Sequence, residues 1–227
     1  MNLHVENAEP AESAASLVER DLRRAIIELE LKPGARLSEH EIADRLGVSR
    51  QPVREAMIKL QRSGFIDIRP QRGTTIVKIS AAAMQEALFV RSAVETAVAE
   101  RAATYFDAWQ RKRIDTILAR QEEAASKLDQ TLFREQDELF HIALARGAGC
   151  GIAWTSIVEL KAHMDRVCNL TMQTRDDLER RVREHKAIVA AIDAHDGAAA
   201  REAMAHHLGS ILDQMPELES QHAGLFE

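Results

Sequence analysis

The chain has 227 residues, enough for two domains that each bury a hydrophobic core. Hydrophobic residues make up 45% of it, charged residues 29%, and the formal net charge is -6. No apolar segment is long enough to span a membrane, and the N-terminus lacks a signal pattern, so we expect a cytoplasmic protein without a membrane partner. Cys150 and Cys168 form no CxxC pair, which argues against a disulfide framework.

The charge is unevenly distributed along the chain. Residues 36–78 contain nine Lys/Arg and five Asp/Glu, whereas residues 81–227 contain 17 Lys/Arg and 24 Asp/Glu. A locally basic segment attached to an acidic body is compatible with specific DNA binding and argues against an indiscriminate nucleic-acid coat. Aromatic residues are scarce, at 4%, and the apolar residues mostly follow helical spacing, which predicts a mainly α fold.

Residues 1–15 are polar and predict a disordered tail, and residues 16–79 form the first predicted domain. A first helix runs from Ser16 to a Pro-Gly turn at residues 32–34. The stretch Leu37–Leu60 then contains two short helical patterns separated by Gly47. This spacing predicts a helix-turn-helix, with Ser49 at the start of its second helix.

The second helix of this motif places basic and amide side chains near its N-terminal end, on the outer side. They are Arg50, Gln51 and Arg54, the chemistry that base edges and phosphates require. Two β-branched segments, 65–68 and 75–79, follow and predict a hairpin with Arg69 and Arg72 near its tip. The pattern therefore indicates a winged helix-turn-helix; the alternative is a helical hairpin whose arginines are merely solvated.

Helical periodicity resumes after a predicted hinge at residues 79–83, so residues 80–227 form the second predicted domain. We expect an all-α antiparallel bundle of about six helices. Their approximate bounds are 81–106, 108–128, 130–146, 151–173, 175–194 and 196–214.

Three of these helices carry a carboxylate or an imidazole on an otherwise apolar inner stripe. Asp137 and His141 are four residues apart on one helix face, and His185 and His207 lie on two further helices. A convergent set of one Asp and three His suits a divalent ion, Zn²⁺ or Ni²⁺ above all. The alternative is that each residue is a hydrogen-bonded core group. His206 points about 100° away from the stripe of His207.

Further polar residues suggest a pocket for a carboxylate. Arg91 and Glu95 lie on one inner stripe, and Arg91 beside a metal would suit bidentate binding of a small acid. An internal ion pair between Arg91 and Glu95 is the alternative. Arg166, Asn169 and His163 also belong to the candidate effector pocket, although the spacing does not fix their direction.

Specific sequence motifs resemble a known family. PGARLSEHEIADRLGVSRQPVREAMIKLQRSGFIDIRPQRGT resembles the winged-helix domain of the GntR family of bacterial transcription regulators. The second half resembles the FCD ligand-binding domain of the family's FadR-like branch, and the helix number is similar to that of the shorter, VanR-type group. The motifs are VRSAVETAVAERAA at 90–103, REQDELFHIALARGAG at 134–149, EHKAIVAAIDAHD at 184–196 and AMAHHL at 203–208.

The resemblance implies a homodimer that binds a palindromic double-stranded DNA operator and responds to a small organic acid. It implies DNA contacts at Ser49, Arg50, Gln51, Arg54, Arg72 and Gly73, with His40 where relatives often carry an Arg. It also matches the metal ligands of many FCD domains to Asp137, His141, His185 and His207.

The sequence thus predicts a DNA-binding transcription regulator, a repressor rather than an enzyme, with a metal cofactor and a small carboxylate effector. One alternative is a direct metal sensor, in which the ion itself is the signal. The other is a helical-bundle metalloenzyme in which the cluster activates water, although no additional Glu or His is visibly placed as a general base.

Overall fold

A computed structural model describes residues 12–227, and it confirms the predicted fold class, a mainly helical chain with one small sheet. The predicted tail, residues 1–15, lies mostly outside the described residues. The predicted end of the tail, residue 15, is corrected. Ser13 caps helix α1 (Ala14–Ile27) by accepting a hydrogen bond from the backbone N–H of Ser16. The first helix therefore begins two residues earlier than expected.

The N-terminal domain consists of α1 and the winged helix-turn-helix elements that follow. These are β1 (Arg36–Leu37), α2 (Glu39–Leu46), α3 (Arg50–Arg62), β2 (Ile66–Arg69) and β3 (Gly73–Ile76). Gly47 ends α2 with φ +65°, a left-handed conformation that a residue without a Cβ adopts at little cost. The inner faces of the three helices and the two hairpin strands enclose one hydrophobic core around Met57, Leu60 and Phe65.

The sheet has strand order β1-β3-β2 with antiparallel pairing throughout. Ile66 pairs with Ile76 and Arg69 with Gly73, which places the wing tip at residues 70–72. Strand β1 pairs Arg36 with Thr75 and was not predicted, because two residues are too few to show a period of alternation.

The C-terminal bundle contains the predicted helical segments with two corrections: one predicted helix is divided, and a further short helix follows the last one predicted, at 196–214. Its helices are α4 (Ala81–Ala102), α5 (Ala108–Lys127), α6 (Gln130–Gly147), α7 (Gly151–Val158), α8 (Ala162–Thr171), α9 (Arg175–Asp193), α10 (Gly197–Gly209) and α11 (Met215–Gln221), with a 3₁₀ turn at Leu212–Gln214. The predicted helix 151–173 is two helices, because the chain turns at residues 159–161. The number of helices therefore does not support membership of the shorter, VanR-type group, and that membership stays a prediction.

The bundle core is formed where α5 packs on α6 and α9, and α10 packs on α4 and α9. Alanine, isoleucine and leucine side chains dominate it, with Phe140, Met164 and Met204 among the larger ones. Within residues 12–227, no helix combines the length and the apolar character needed to cross a membrane.

The two domains are in contact at several places. Helix α1 packs against α8, and Ala162 of α8 joins the hydrophobic core of the N-terminal domain. At the connecting segment, the Ile79 N–H donates to Leu225 O at 2.9 Å, and the Glu227 N–H donates to Ile79 O at 3.1 Å. The last residues of the chain therefore hold the segment that joins the domains.

Candidate functional site

The bundle brings Asp137, His141, His185 and His207 together from helices α6, α9 and α10. One ligand atom from each residue lies within 4.8 Å of the others. His207 Nε2 lies 3.3 Å from His185 Nε2 and 3.4 Å from His141 Nε2. Asp137 Oδ1 lies 3.5 Å from His185 Nε2. The four polar groups that the sequence places on separate inner stripes thus form one cluster.

Each imidazole has an acceptor on its other nitrogen. His185 Nδ1 donates to Gln121 Oε1 at 2.9 Å, and His207 Nδ1 donates to Glu184 Oε2 at 2.9 Å. His141 Nδ1 faces Glu95 Oε2. With the proton of each ring on Nδ1, the tautomer that these partners favour, each Nε2 presents a lone pair to the centre of the cluster.

Burial keeps the rings of His185 and His207 neutral. It lowers the pKa of His185 to about 3 and the pKa of His207 well below its ordinary value. Phe140 stacks on the His185 ring with centroids 4.0 Å apart, and Trp154 lies parallel to the His141 ring at 5.7 Å. A cation between three converging lone pairs and a carboxylate would stabilise this arrangement, and hydrogen bonds among the four residues are the alternative.

The spacing of the nitrogen atoms fits a metal ion. Two ligands at about 2.05 Å from a tetrahedral Zn²⁺ are separated by about 3.3 Å. The observed separations of the Nε2 atoms, 3.3 and 3.4 Å, match that edge. The donor set of three imidazoles and one carboxylate is the chemistry that Zn²⁺ and Ni²⁺ accept.

Arg91 and Glu95 form the internal ion pair that the sequence left open as an alternative. Arg91 Nε donates to Glu95 Oε1, and the other oxygen of Glu95 faces His141. Burial raises the pKa of Glu95, but the charge of Arg91 and the contact with His141 outweigh it and lower that pKa to about 2. Glu95 therefore orients a candidate metal ligand, and Arg91 also lines the adjacent cavity.

That cavity has a volume of about 350 Å³, within the range of small-molecule sites. Asp137, Arg91, Trp154, Cys168 and Met172 line the end near the cluster. Two cations lie over the indole of Trp154: the guanidinium carbon of Arg91 is 5.9 Å from a ring centroid, and Lys161 Nζ is 5.1 Å from one. The cavity thus combines apolar residues with six basic and six acidic side chains, and Arg91 and Lys161 place positive charge beside its aromatic wall.

Arg166 lies elsewhere, which corrects its place in the predicted effector pocket. Its guanidinium donates to Val77 O and Ala162 O and lies 3.1 Å from His163 Nδ1, at the junction of the two domains. His163 Nδ1 in turn accepts from the Ser80 N–H at 3.1 Å. Asn169 is adjacent to the cavity, because its Oδ1 accepts from Arg134 Nη1 at 2.7 Å.

The residues predicted to contact DNA are all exposed on the N-terminal domain. Ser49 occupies the N-cap of α3 without a side-chain capping bond, and the exposed Arg50, Gln51 and Arg54 follow it. Arg54 Nη2 donates to Glu39 Oε2 at 2.9 Å, which positions the guanidinium at the start of the helix. Arg72 and Gly73 (φ +90°) are exposed at the wing, and His40 is exposed on α2.

Sequence reasoning missed several residues of the site. Glu184 and Gln121 orient the histidines, while Trp154, Arg134 and Lys161 line the cavity. One signal was available, since Gln121 is a polar residue on the apolar stripe that contains Ile114, Ile117 and Leu118. Glu184 directly precedes His185 on α9, and neighbouring helical residues point about 100° apart, so the pattern places Glu184 off the apolar stripe of His185.

This combination of a winged helix-turn-helix and a helical bundle with a polar cavity defines a two-domain DNA-binding regulator. The N-terminal residues 14–76 match the model of the bacterial regulatory proteins of the gntR family, and residues 86–210 match the FCD domain. The chain belongs to the GntR family and carries an FCD domain. It is a DNA-binding transcription regulator and not an enzyme, as expected.

Relatives and solved structures agree with this assignment. The chain is 38% identical over 217 residues to the HTH-type transcriptional repressor RspR of Escherichia coli K12, covering 96% of this chain and 95% of that protein. The structure of E. coli McbR/YncC has a TM-score of 0.77 at 23% identity and covers 92% of this chain and 99% of its own, which supports the fold. A putative GntR regulator from Rhodococcus sp. RHA1 has a TM-score of 0.72 at 25% identity, covering 94% and 99%.

Proposed function

We propose that this regulator is a repressor whose operator binding is controlled by a small organic acid bound at a divalent metal, Zn²⁺ or Ni²⁺, in the bundle. The observation that carries the proposal is the convergence of three Nε2 lone pairs on Asp137, which also lines the cavity. The metal would act as a Lewis acid that binds the effector carboxylate. The repressor role is supported by the name of the relative RspR.

The protein's own residues would fix the effector around that ion. Asp137 has a side chain 25% exposed and lies on the cavity wall, so an additional ligand has access to the cluster from this side. Arg91 supplies positive charge beside it, and Glu95, Gln121 and Glu184 hold the three imidazoles in orientation. Outer partners of this kind raise the basicity of the ligating nitrogen.

DNA recognition is assigned to the exposed start of α3 and to the wing. We propose that residues 16–79 are the DNA-binding domain and residues 80–227 the effector-binding and dimerisation domain. Arg50, Gln51 and Arg54 would enter the major groove, where guanidinium and amide groups read base edges. Ser49, Arg72, Gly73 and His40 would contact the phosphate backbone, which fixes the register of the domain.

A homodimer on a palindromic operator completes the proposal. Helix α4 exposes Phe89, whose residue surface is 76% accessible, and its neighbour Val90. We propose that these exposed apolar side chains belong to the dimer contact. A two-fold dimer would present two recognition helices to half-sites separated by about one turn of DNA, roughly 34 Å.

The test uses DNA fragments selected from a random pool by the purified protein. Operator affinity is measured with and without Zn²⁺ or Ni²⁺ and a panel of small carboxylic acids. We expect an active acid to change the affinity by a factor of about 5 to 150 in the metal-loaded wild type and to have no effect on His185→Ala. An acid that acts equally on both proteins would contradict a metal-bound effector. Affinity that follows metal concentration alone would favour a direct metal sensor.

A further inference from the structure

The cavity beside the histidine cluster is lined on one side by a helix of the N-terminal domain. Helix α1 contributes Arg20, Asp21, Arg23, Arg24, Ile27 and Glu28 to its lining, and the bundle supplies the remaining walls. A ligand in this cavity therefore touches both domains at once. A bound ligand would therefore weaken or strengthen the contacts that hold α1 against the bundle.

Glu28 forms the main polar contact between α1 and the bundle at the cavity rim. Its Oε1 accepts from Thr131 Oγ1 at 2.8 Å and from Arg134 Nη2, whereas its Oε2 accepts from Arg24 Nη1 at 2.7 Å. The side chains of Glu28 and Arg134 are only 14% and 15% exposed, so this ion pair is poorly screened by solvent. We refer to Glu28, Thr131 and Arg134 as the Glu28 latch.

The latch and the histidine cluster lie on one face of α6. Thr131, Arg134, Asp137 and His141 follow one another at intervals of three, three and four residues, which is the spacing of neighbours on a helix surface. Arg134 is three residues from Asp137, or about 4.5 Å along the helix axis. Both residues line the cavity. A four-carbon diacid has the length to extend from one to the other.

We propose that the effector is a small dicarboxylate that opens the Glu28 latch by exchange of carboxylates. One carboxylate binds at the cluster beside Asp137 and Arg91, and the second replaces Glu28 as the partner of Arg134. This inference rests on the proposed effector site and adds the class of ligand and the route to the DNA-binding domain. Exchange leaves Arg134 paired while Glu28 loses its bundle partner, so the free energy that holds α1 against the bundle decreases.

Succinate and butyrate are matched probes, because they share the four-carbon chain and differ in the second carboxylate. Their affinities for the zinc-loaded full chain are measured by the fluorescence of Trp154, in a Trp109→Phe background that removes the exposed second tryptophan. The variants are Glu28→Gln, which removes the competing charge, and Arg134→Gln, which removes its partner. Arg111→Gln, which breaks the remote pair with Asp193, is the matched control.

We expect wild type to prefer succinate over butyrate. The preference rises on the order of tenfold in Glu28→Gln and disappears in Arg134→Gln, while Arg111→Gln behaves as wild type. Succinate also changes operator affinity in wild type and not in Glu28→Gln, in which the latch is already open.

The inference is overturned if the preference is the same in wild type and Glu28→Gln, or if Arg134→Gln retains it. It is also overturned if neither acid binds to a chain that holds its zinc ion. The metal content and the operator affinity are measured on the same samples. Failure of the latch is thereby separated from failure of the metal site and of DNA binding.

Discussion

The two domains use polar residues in opposite ways. In the N-terminal domain the candidate functional side chains are exposed around an apolar core. Arg50 and Arg54 pair with Glu39, and Gln51 donates to Glu55. In the bundle the candidate functional groups are inside, and His185 has no exposed surface. Exposed polar groups cost the fold little, whereas buried ones require a complete set of partners. Changes at the bundle site should therefore affect stability and binding together, and changes at the DNA-binding surface should affect binding alone.

The largest expected effect is on the free energy of unfolding, and it distinguishes the hydrophobic core of the N-terminal domain from that of the bundle. Phe65→Ala and Phe140→Ala each remove a fully buried phenyl ring, and each should lower the free energy of unfolding by about 3–5 kcal/mol. Only Phe140→Ala should also weaken metal binding, because its ring stacks on His185. Chemical denaturation combined with zinc titration measures both properties. Equal metal affinity in the two variants would show that the stacking does not hold His185 in place.

The next effect concerns a residue that touches no metal. Glu184→Gln should reduce metal affinity by about tenfold to a hundredfold, because it weakens the hydrogen bond that orients His207. The affinity is measured by competition with a chromophoric chelator. Glu122→Gln, which breaks only an exposed pair with Lys186, is the control and should leave the affinity unchanged. A matching loss in that control would point to a general effect of removing a carboxylate.

A smaller effect is expected at the DNA-binding surface. Arg54→Ala should weaken operator binding by about 1–3 kcal/mol if its guanidinium contacts a base, with little change in unfolding free energy because the side chain is exposed. Arg62→Ala, at the other end of the same helix, should bind as wild type. Fluorescence anisotropy with a labelled operator gives the affinities. Unchanged affinity in Arg54→Ala would remove this residue from the interface.

The smallest effect is a pH dependence at the domain junction. Burial, followed by the charge of Arg166, lowers the pKa of His163 from 6.5 to about 4. Between these values the unfolded chain binds a proton that the folded chain does not, so stability falls as the pH decreases through this window. The contribution to the slope is at most about 1.4 kcal/mol per pH unit. His163→Gln, which does not titrate, should flatten the unfolding profile from pH 6.5 to 4, and an unaltered profile would contradict the assignment.

The sequence predicts those parts of the molecule that depend on local pattern. Capping residues, Gly47 and alternation defined the winged helix-turn-helix, and helical periodicity placed His141, His185 and His207 on inner stripes. The turn at residues 159–161 escaped prediction because it contains neither Gly nor Pro. It follows instead from tertiary contacts, in which the buried Lys161 pairs with Asp165 at 3.1 Å and with Glu138 at 3.7 Å.

The outer partners of the site escaped prediction for a similar reason. Gln121, Glu184 and Glu28 act through residues distant in the chain, and only the packing of helices brings them together. Arg166 was misplaced because its direction depends on the bend before α8, which turns it towards Val77. Periodicity identifies which face of a helix is inside, but it does not identify the neighbouring side chain.

Elemental analysis of the purified wild type and of His185→Ala tests the central claim most directly. The account predicts one divalent ion per wild-type chain and little or none in the variant, with Glu122→Gln retaining its ion. Absence of metal from the wild type after incubation with Zn²⁺ and Ni²⁺ would contradict it. The four converging residues would then be a polar core, and the effector mechanism would lose its basis.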